Sequence, residues 1–584
     1  MPRRPSPEAR WDGDTLVSGR FGDIYASRAG ARAQAEAVFL AGCDLPTAWA
    51  ARRRFVLAET GFGTGSTLMA ALDCWRRTRE AGATLHLFSV EAFPLPREDA
   101  ARALALAGLA DLAAPLVARW PRAHGWHRID WPALGATLDL AIDDAAAALA
   151  EWQGRADAWF LDGFAPARNP ELWSAELLAQ VRARSAPGAR LASWCVAGPV
   201  RAALEAQGFA VERRPGFAGK RHRLEARLPG TAADPPAPTV AIIGAGIAGV
   251  ALARAFAALG TPARCYALGP MASANPAALV TPRLEAGSAT AAALHAQAFR
   301  RATALIETTA PAAVRARGVL RPLGPAELPR AEATLAGGRF QPHSLDLLGA
   351  DEAAARLGEP LDRPALWLAD GLVVEPEALR ACWAPPPETA EIAALAPAGS
   401  GWRLIGRDGA DIARADVVCL AAGVATARLA PVRLDPVRGQ VTLVRAEPPS
   451  VPLGGGVYAI PAPGGALVGA THQRGDSDIT LRAADDEANL ARLGRLAPRL
   501  ATRLSAAPRR GIAGLRAASP DRQPLAGPLR PGLFLLTGLG GRGFTLAPLL
   551  AEHVATLACG VPSPLPASAA ALVDPARPAV RPAR

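Results

Sequence analysis

The sequence predicts an α/β protein of two units, each opening on a strand that runs into a glycine-rich turn and then a helix. Two strand–turn segments and the stretch between them carry that expectation. Phe55-Val56-Leu57-Ala58 leads into Glu59-Thr60-Gly61-Phe62-Gly63-Thr64-Gly65, and Val240-Ala241-Ile242-Ile243 leads into Gly244-Ala245-Gly246-Ile247-Ala248-Gly249. Residues 228–238 hold four prolines and one glycine without hydrophobic periodicity, which disfavours both helix and central strand. The expected boundaries are 1–229, a Pro-rich linker at 230–238, and 239–584.

In the first unit, candidate strands at 55–59, 85–91, 138–143, 158–162 and 191–195 alternate with helical segments. That alternation predicts a Rossmann-like parallel sheet with crossover helices. The second unit opens on a βα pair and continues with short strands at 402–407, 417–421, 440–445, 466–469 and 533–537. Helices are expected at 291–307 and 485–496. This mixture predicts a dinucleotide-binding Rossmann domain with a β-rich substrate domain inserted. No repeat of fixed period is present.

A chain of 584 residues with 50% apolar content can bury two substantial cores. It has no run of eighteen uncharged apolar residues, so no membrane span is expected. The start, Met1-Pro2-Arg3-Arg4, has no apolar segment behind it, which argues against a secretory signal. Seven scattered cysteines without a Cys-x-x-Cys pair argue against a disulfide framework or a metal site and fit a reducing cytoplasm. Net charge is +11, with 29 basic against 25 acidic residues through residue 230 and 35 against 28 beyond. Arginine-rich surfaces suit phosphate backbones; a GC-rich coding bias gives the same composition. Nothing in the sequence signals oligomerisation, and a monomer is expected.

Glycines at 61, 63 and 65 allow a tight turn and close approach of backbone to ligand. Glu59 ends the strand beside the turn. Glu91 ends the next strand, where a carboxylate can accept both hydroxyl hydrogen bonds of a ribose. Asp144, at the end of the third, can accept from an adenine amino group. A further strand delivers Asp162-Gly163-Phe164-Ala165-Pro166 beyond the carboxyl ends of the sheet, where ligands bind. An amine must be neutral to attack a methyl group, and a carboxylate at Asp162 can accept its N–H, align its lone pair and take the proton. Phe164 is placed to stack on a base.

These segments, with Ser89-Val90-Glu91-Ala92-Phe93-Pro94-Leu95, Trp159 through Pro170, Leu172-Trp173 and the basic tail Arg213-Arg214-Pro215-Gly216-Phe217-Ala218-Gly219-Lys220-Arg221, resemble the methyltransferase half of the bifunctional tRNA 5-methylaminomethyl-2-thiouridine biosynthesis proteins. The resemblance implies S-adenosylmethionine as methyl donor and a wobble-uridine aminomethyl group as acceptor.

In the second unit, Gly244, Gly246 and Gly249 have dinucleotide-fingerprint spacing, for the turn, the pyrophosphate and helix–strand packing respectively. The acid expected about twenty residues on is missing: Ala263-Arg264-Cys265-Tyr266-Ala267 runs into Leu268, so the ribose contact must come from elsewhere. Two distant segments support a flavin. The strand ending at Ala421, Ala422 and Gly423 suits close approach to a cofactor. Gly540, Gly541, Arg542, Gly543 and Phe544 open a helix whose N–H groups suit the negative charge of a reduced flavin. The stretches Gly514 through Gly527 and Pro436-Val437-Arg438-Gly439-Gln440 resemble the glycine and sarcosine oxidases, D-amino-acid-oxidase-like flavoproteins. That resemblance implies FAD, and Arg516 as the residue that binds a substrate carboxylate, a pairing that guanidinium geometry favours.

The two halves fit one another chemically. A carboxymethylaminomethyl group on uridine is a glycine whose nitrogen carries the nucleoside. An oxidase for such amines removes hydride from the α-carbon, and hydrolysis of the imine releases glyoxylate and leaves the primary amine that an N-methyltransferase requires. A tRNA anticodon loop is single-stranded, so its wobble base can be splayed into either pocket. One rival keeps both chemistries but acts on free small amines such as sarcosine; another makes one unit a non-catalytic RNA-binding scaffold.

Overall fold

Buried runs of apolar residues build the central strands of two separate sheets. The structure, a computed structural model, describes residues 7–581, so the Met1–Arg4 start lies outside the described residues. The chain divides into two compact units, one holding residues up to Pro236 together with Val561–Ala567, the other Ala237–Gly560 and the residues from Ser568 onward. Residues 231–239 form neither helix nor strand.

The N-terminal unit contains β1 (Arg54–Glu59), α1 (Ser66–Thr78), β2 (Thr84–Val90), β3 (Gly125–Trp131), β4 (Ala136–Ile142), α2 (Ala145–Glu151), β5 (Ala156–Phe160), β6 (Ser185–Ser193), β7 (Ala210–Pro215) and β8 (His222–Arg227). Its eight-stranded sheet runs β7-β8-β6-β5-β1-β2-β4-β3. The inner five strands are parallel and almost wholly buried, as expected when helices cover both faces. The sheet departs from the predicted all-parallel arrangement at its edges, where β3, β8 and β7 are antiparallel. The residues read as a basic tail form the β7–β8 hairpin. Exposed Glu212, Arg213 and Arg214 mask its strand pattern and blunt the open edge against further pairing. Strand order reverses between β1 and β5, which opens a crevice beyond their carboxyl ends.

The C-terminal unit contains β9 (Val240–Ile243), α3 (Ile247–Ala258), β10 (Ala263–Ala267), α4 (Ala289–Thr309), β11 (Glu388–Thr389), β12 (Val417–Leu420), β13 (Asp435–Val444), β14 (Tyr458–Ala462), β15 (Gly465–Gly469), β16 (Gln473–Arg474), α5 (Ala483–Gly494), β17 (Arg509–Ala518), β18 (Leu525–Arg530), β19 (Leu533–Thr537) and α6 (Gly543–Cys559). One sheet runs β11-β10-β9-β12-β19-β18, parallel apart from β18. A second, antiparallel sheet orders β14-β15-β13-β16, and β17 also pairs along the length of β13. Side chains alternate across β13. Arg438, Gln440 and Thr442 face α5, where Gln440 Nε2 and Thr442 Oγ1 donate to Asp486 at 3.0 and 2.6 Å and fully buried Arg438 pairs with Asp485. Val437, Gly439 and Val441 face the other way, and Arg516 and Arg474 both pair with Val437 in register.

Candidate active sites

In the N-terminal unit the crevice deepens into a cavity of about 1080 Å³, lined among others by Gly61, Gly63, Glu91, Asp144, Asp162 and Phe164. The chain meets there because Thr60 N donates to Phe160 O at 3.2 Å and Phe62 N to Val90 O at 3.0 Å, which ties the turn after β1 to the ends of β5 and β2. A Cβ on Gly61 would stand 2.8 Å from the carbonyl oxygen of Asp162, so the close approach requires glycine. Gly65 caps α1 with φ +77°, beneath the ring of Phe62.

Glu91 accepts from Gly63 N at 2.9 Å through Oε2 and from Phe93 N at 2.7 Å through Oε1. It braces the glycine turn from the wall of the cavity. Asp144 is the N-cap of α2 rather than a strand terminus, because β4 stops at Ile142. Its Oδ1 accepts from Ala146 N and Ala147 N at 3.0 and 3.2 Å. Glu59 differs from expectation. It is 1% exposed and does not line the cavity; Ser89 Oγ donates to its Oε2 at 2.8 Å, and Oε1 has no hydrogen-bond partner. Burial, with Asp162 and Glu91 nearby, pushes its carboxyl well above the usual range. The side chain of the last β1 residue turns into the sheet, whereas the following backbone forms the cradle.

Asp162 Oδ1 accepts from Gly163 N at 2.9 Å and from Trp194 Nε1 at 3.2 Å, and Thr67 Oγ1 lies 3.4 Å from Oδ2. Removal from water raises its carboxyl to about 6, against the opposing effect of these bonds and of Lys220. Phe164 stacks on Phe21 at 4.8 Å between centroids and meets Tyr25 edge-on at 5.1 Å. It belongs to an aromatic wall, with Phe93 beyond Phe21 at 5.8 Å, and is not an isolated platform. Trp194 escaped sequence reasoning, although its place just after β6 follows the strand-end rule. Asp23, whose Oδ2 accepts from Ala165 N at 3.1 Å, comes from a two-residue strand too short to show a pattern.

In the C-terminal unit three of the predicted segments converge. Gly244 has φ +112°, and a Cβ there would stand 2.4 Å from Ala421 O, so the turn after β9 lies against the end of β12 where Ala422 and Gly423 follow. A Cβ on Gly249 would collide with Gly244 O at 1.8 Å, while Gly246 meets only Ser273 Oγ at 3.2 Å. The first and third glycines serve packing, and the second leaves room above the helix start, a cradle that fits a pyrophosphate. Gly543 lies against Ile247, and Thr537 Oγ1 donates to Gly423 O at 3.1 Å, which brings the Gly540–Phe544 turn to the same place. Arg542 is half-buried and reaches the carbonyls of Thr281 and Pro282 at 3.4 and 3.3 Å. Burial draws its pKa down to about 10, with Arg321 and Arg283 nearby. Ser273 Oγ accepts from Ile247 N at 3.0 Å at the head of α3; a short loop of small residues hid it. Leu268 is 63% exposed, and the nearby acid Glu388 is held by two 2.8 Å bonds from Arg264.

Arg516 lies on the face of the second sheet turned away from α5. Its guanidinium crosses Gly439, where a Cβ would stand 2.7 Å away, and its Nη1 donates to Thr471 O at 3.3 Å. Tyr458 belongs to the same face, since it pairs with Gly469 opposite Val441. Burial pushes its hydroxyl up to about 12. The bridge between Ala518 and Leu539 ties the end of β17 to the Gly540 turn.

The pattern of the S-adenosyl-L-methionine-dependent methyltransferases matches residues 107–229, and that of the FAD dependent oxidoreductases matches residues 239–557. The chain is 49% identical to a tRNA 5-methylaminomethyl-2-thiouridine biosynthesis bifunctional protein of Caulobacter sp. strain K31, over 97% of each chain. Among solved structures, iminodiacetate oxidase from Chelativorans sp. BNC1 is similar at 25% identity and TM-score 0.50, covering 57% of this chain and 98% of that one. Glycine oxidase from Geobacillus kaustophilus shares the fold at 24% identity and TM-score 0.50, covering 58% and 98%.

Proposed function

Because the chain belongs to the tRNA 5-methylaminomethyl-2-thiouridine biosynthesis bifunctional proteins, we propose that its two cradles act in sequence on one wobble uridine of a tRNA anticodon loop. The C-terminal unit converts the carboxymethylaminomethyl group to aminomethyl, and the N-terminal unit methylates the amine. The observation that supports this reading is a buried carboxylate, Asp162, lining the cavity beside the Gly61–Gly65 turn, together with an arginine, Arg516, on the strand whose end is bridged to the Gly540 turn. S-adenosylmethionine supplies the methyl group when bound, and FAD supplies the oxidant.

The chain's residues divide the work as follows. Glu91 and Asp144 are assigned to the ribose and adenine of the methyl donor, and Gly61, Gly63 and Gly65 to close backbone contact. Gly244, Gly246, Gly249, Ala422, Gly423 and the 540–544 turn are assigned to FAD. Arg516 pairs with the carboxylate of the nucleoside-borne glycine. Asp162 accepts the N–H of the acceptor amine and takes the proton once the methyl group is in place.

The decisive experiment supplies undermodified tRNA and free sarcosine side by side. Glyoxylate release and a subsequent 14-dalton gain on the wobble nucleoside are the expected outcome; faster turnover of sarcosine overturns the reading in favour of free amines. Two substitutions refine it. Glu91→Ala is expected to weaken S-adenosylmethionine binding by about 10–100-fold in calorimetry, the usual worth of a charged hydrogen bond. Gly439→Ala is expected to leave the fold intact, because the new methyl group meets only the mobile end of Arg516, yet to raise the KM for oxidation about tenfold by displacing that guanidinium.

A further inference from the structure

Lys220 is the chain's single lysine; apart from the histidines, every other basic side chain is arginine. It lies in the turn of the β7–β8 hairpin, and its Nζ stands 3.7 Å from the ring centroid of Trp194. Trp194 in turn donates to Asp162, and all three line the methyltransferase cavity. Among the described residues, no carboxylate lies within ion-pair distance of this ammonium. Arginine stacks on aromatic rings and grips phosphate better than lysine does, so neither task explains the exception. A compact point charge does.

The chemistry of the acceptor shows what such a charge is for. A carboxylate alone beside an alkylamine stabilises the ammonium, which has no lone pair and cannot attack a methyl group. Asp162 therefore needs an opposing charge if it is to orient the amine without trapping it protonated. Resting on the reading of this cavity as the methyl-transfer site, we propose that Lys220 is a positioning residue that keeps the acceptor amine neutral in the ternary complex and, through Trp194, fixes Asp162. The groups facing Lys220 from other elements are Asp23, Asp162 and Cys195; on its own hairpin Arg221, His222 and Arg223 flank it. Burial draws the Lys220 pKa below its ordinary value, and the two carboxylates oppose that by favouring the ammonium; Lys220 is the cation in contact with the Asp162–Trp194 pair.

A unit charge roughly 6 Å from the amine, at an effective dielectric near 20, moves the amine's pKa by about two units. The test uses the full-length protein and tRNA bearing aminomethyl wobble uridine, and follows the kcat of methyl transfer from pH 6 to 10. Lys220→Met keeps an apolar contact with Trp194 and is expected to move the half-maximal pH upward by about one to two units, with activity recovering near the alkaline end. Lys220→Arg is expected to keep the wild-type half-maximal pH, because the charge is retained, but to lower kcat at every pH, because the bulkier guanidinium cannot sit as the compact ammonium does. S-adenosylmethionine affinity and melting temperature are expected to be unchanged in both. A Met variant whose profile overlays the wild type, or that loses activity equally at every pH, overturns the proposal. Failure of the wild-type protein itself to bind S-adenosylmethionine overturns the reading of the cavity instead.

Discussion

Asp162→Asn should eliminate methyl transfer, with a loss on the order of 10³-fold or more, while glyoxylate release proceeds normally and tRNA accumulates in the aminomethyl form. The asparagine is close to isosteric: its Oδ1 can accept from Gly163 N and Trp194 Nε1 as the carboxylate does, and its amide can donate to Thr67 Oγ1. What it lacks is a charge and a place for the proton. The same substitution should raise the melting temperature. Burial raises the folded carboxyl to about 6, above the ordinary range of an aspartate. Such a raised group is harmless below its unfolded pKa and increasingly destabilising as pH climbs through the folded value. The stability difference between variant and wild type should therefore open between about pH 4 and pH 6 and stay level above. Wild-type methyl transfer should fall further as acidification through about pH 6 protonates Asp162. Thermal melts at pH 4 and 8 together with wobble-nucleoside mass spectra check both halves. Retained methylation by the variant would remove Asp162 from the reaction.

Arg516→Ala should cut glyoxylate formation by about 10²–10³-fold, the cost of deleting a bidentate charge-assisted pair. Methylation of tRNA that already carries the aminomethyl group should be unaffected. The guanidinium does not anchor the sheet, because among the described residues its hydrogen bond is to Thr471 O alone and is long at 3.3 Å. Loss of activity would then be read as loss of a substrate contact, checked by unchanged flavin absorbance. Unaltered glyoxylate output would transfer the carboxylate contact to another residue, with the Arg283, Arg321 and Arg542 group next in line.

Much of this was legible before any coordinates. Both glycine turns carry the steric reason for their residues in their spacing, and the strands that feed them hold buried apolar runs, Phe55–Ala58 and Val240–Ile243. What escaped sequence reading did so for physical reasons. The β7–β8 hairpin is polar on an exposed edge, so charge concealed its strands. Position next to the turn suggests a cavity role for Glu59, but its side chain is buried against Ser89 and does not line the cavity. Asp144 sits two residues beyond the end of its strand, and its local role is to cap a helix. Trp194 and Asp23 come from segments far apart in the chain: Trp194 reaches Asp162 because β6 lies beside β5, and Asp23 reaches the site by accepting from Ala165 N.

β13 is a single stretch of backbone serving two masters, a polar lock with α5 on one side and the Arg516 face on the other. A residue-by-residue scan along it should consequently give phenotypes that alternate. Changes at 438, 440 and 442 would emerge as lower thermal tolerance, those at 437, 439 and 441 as impaired turnover in a protein of ordinary robustness.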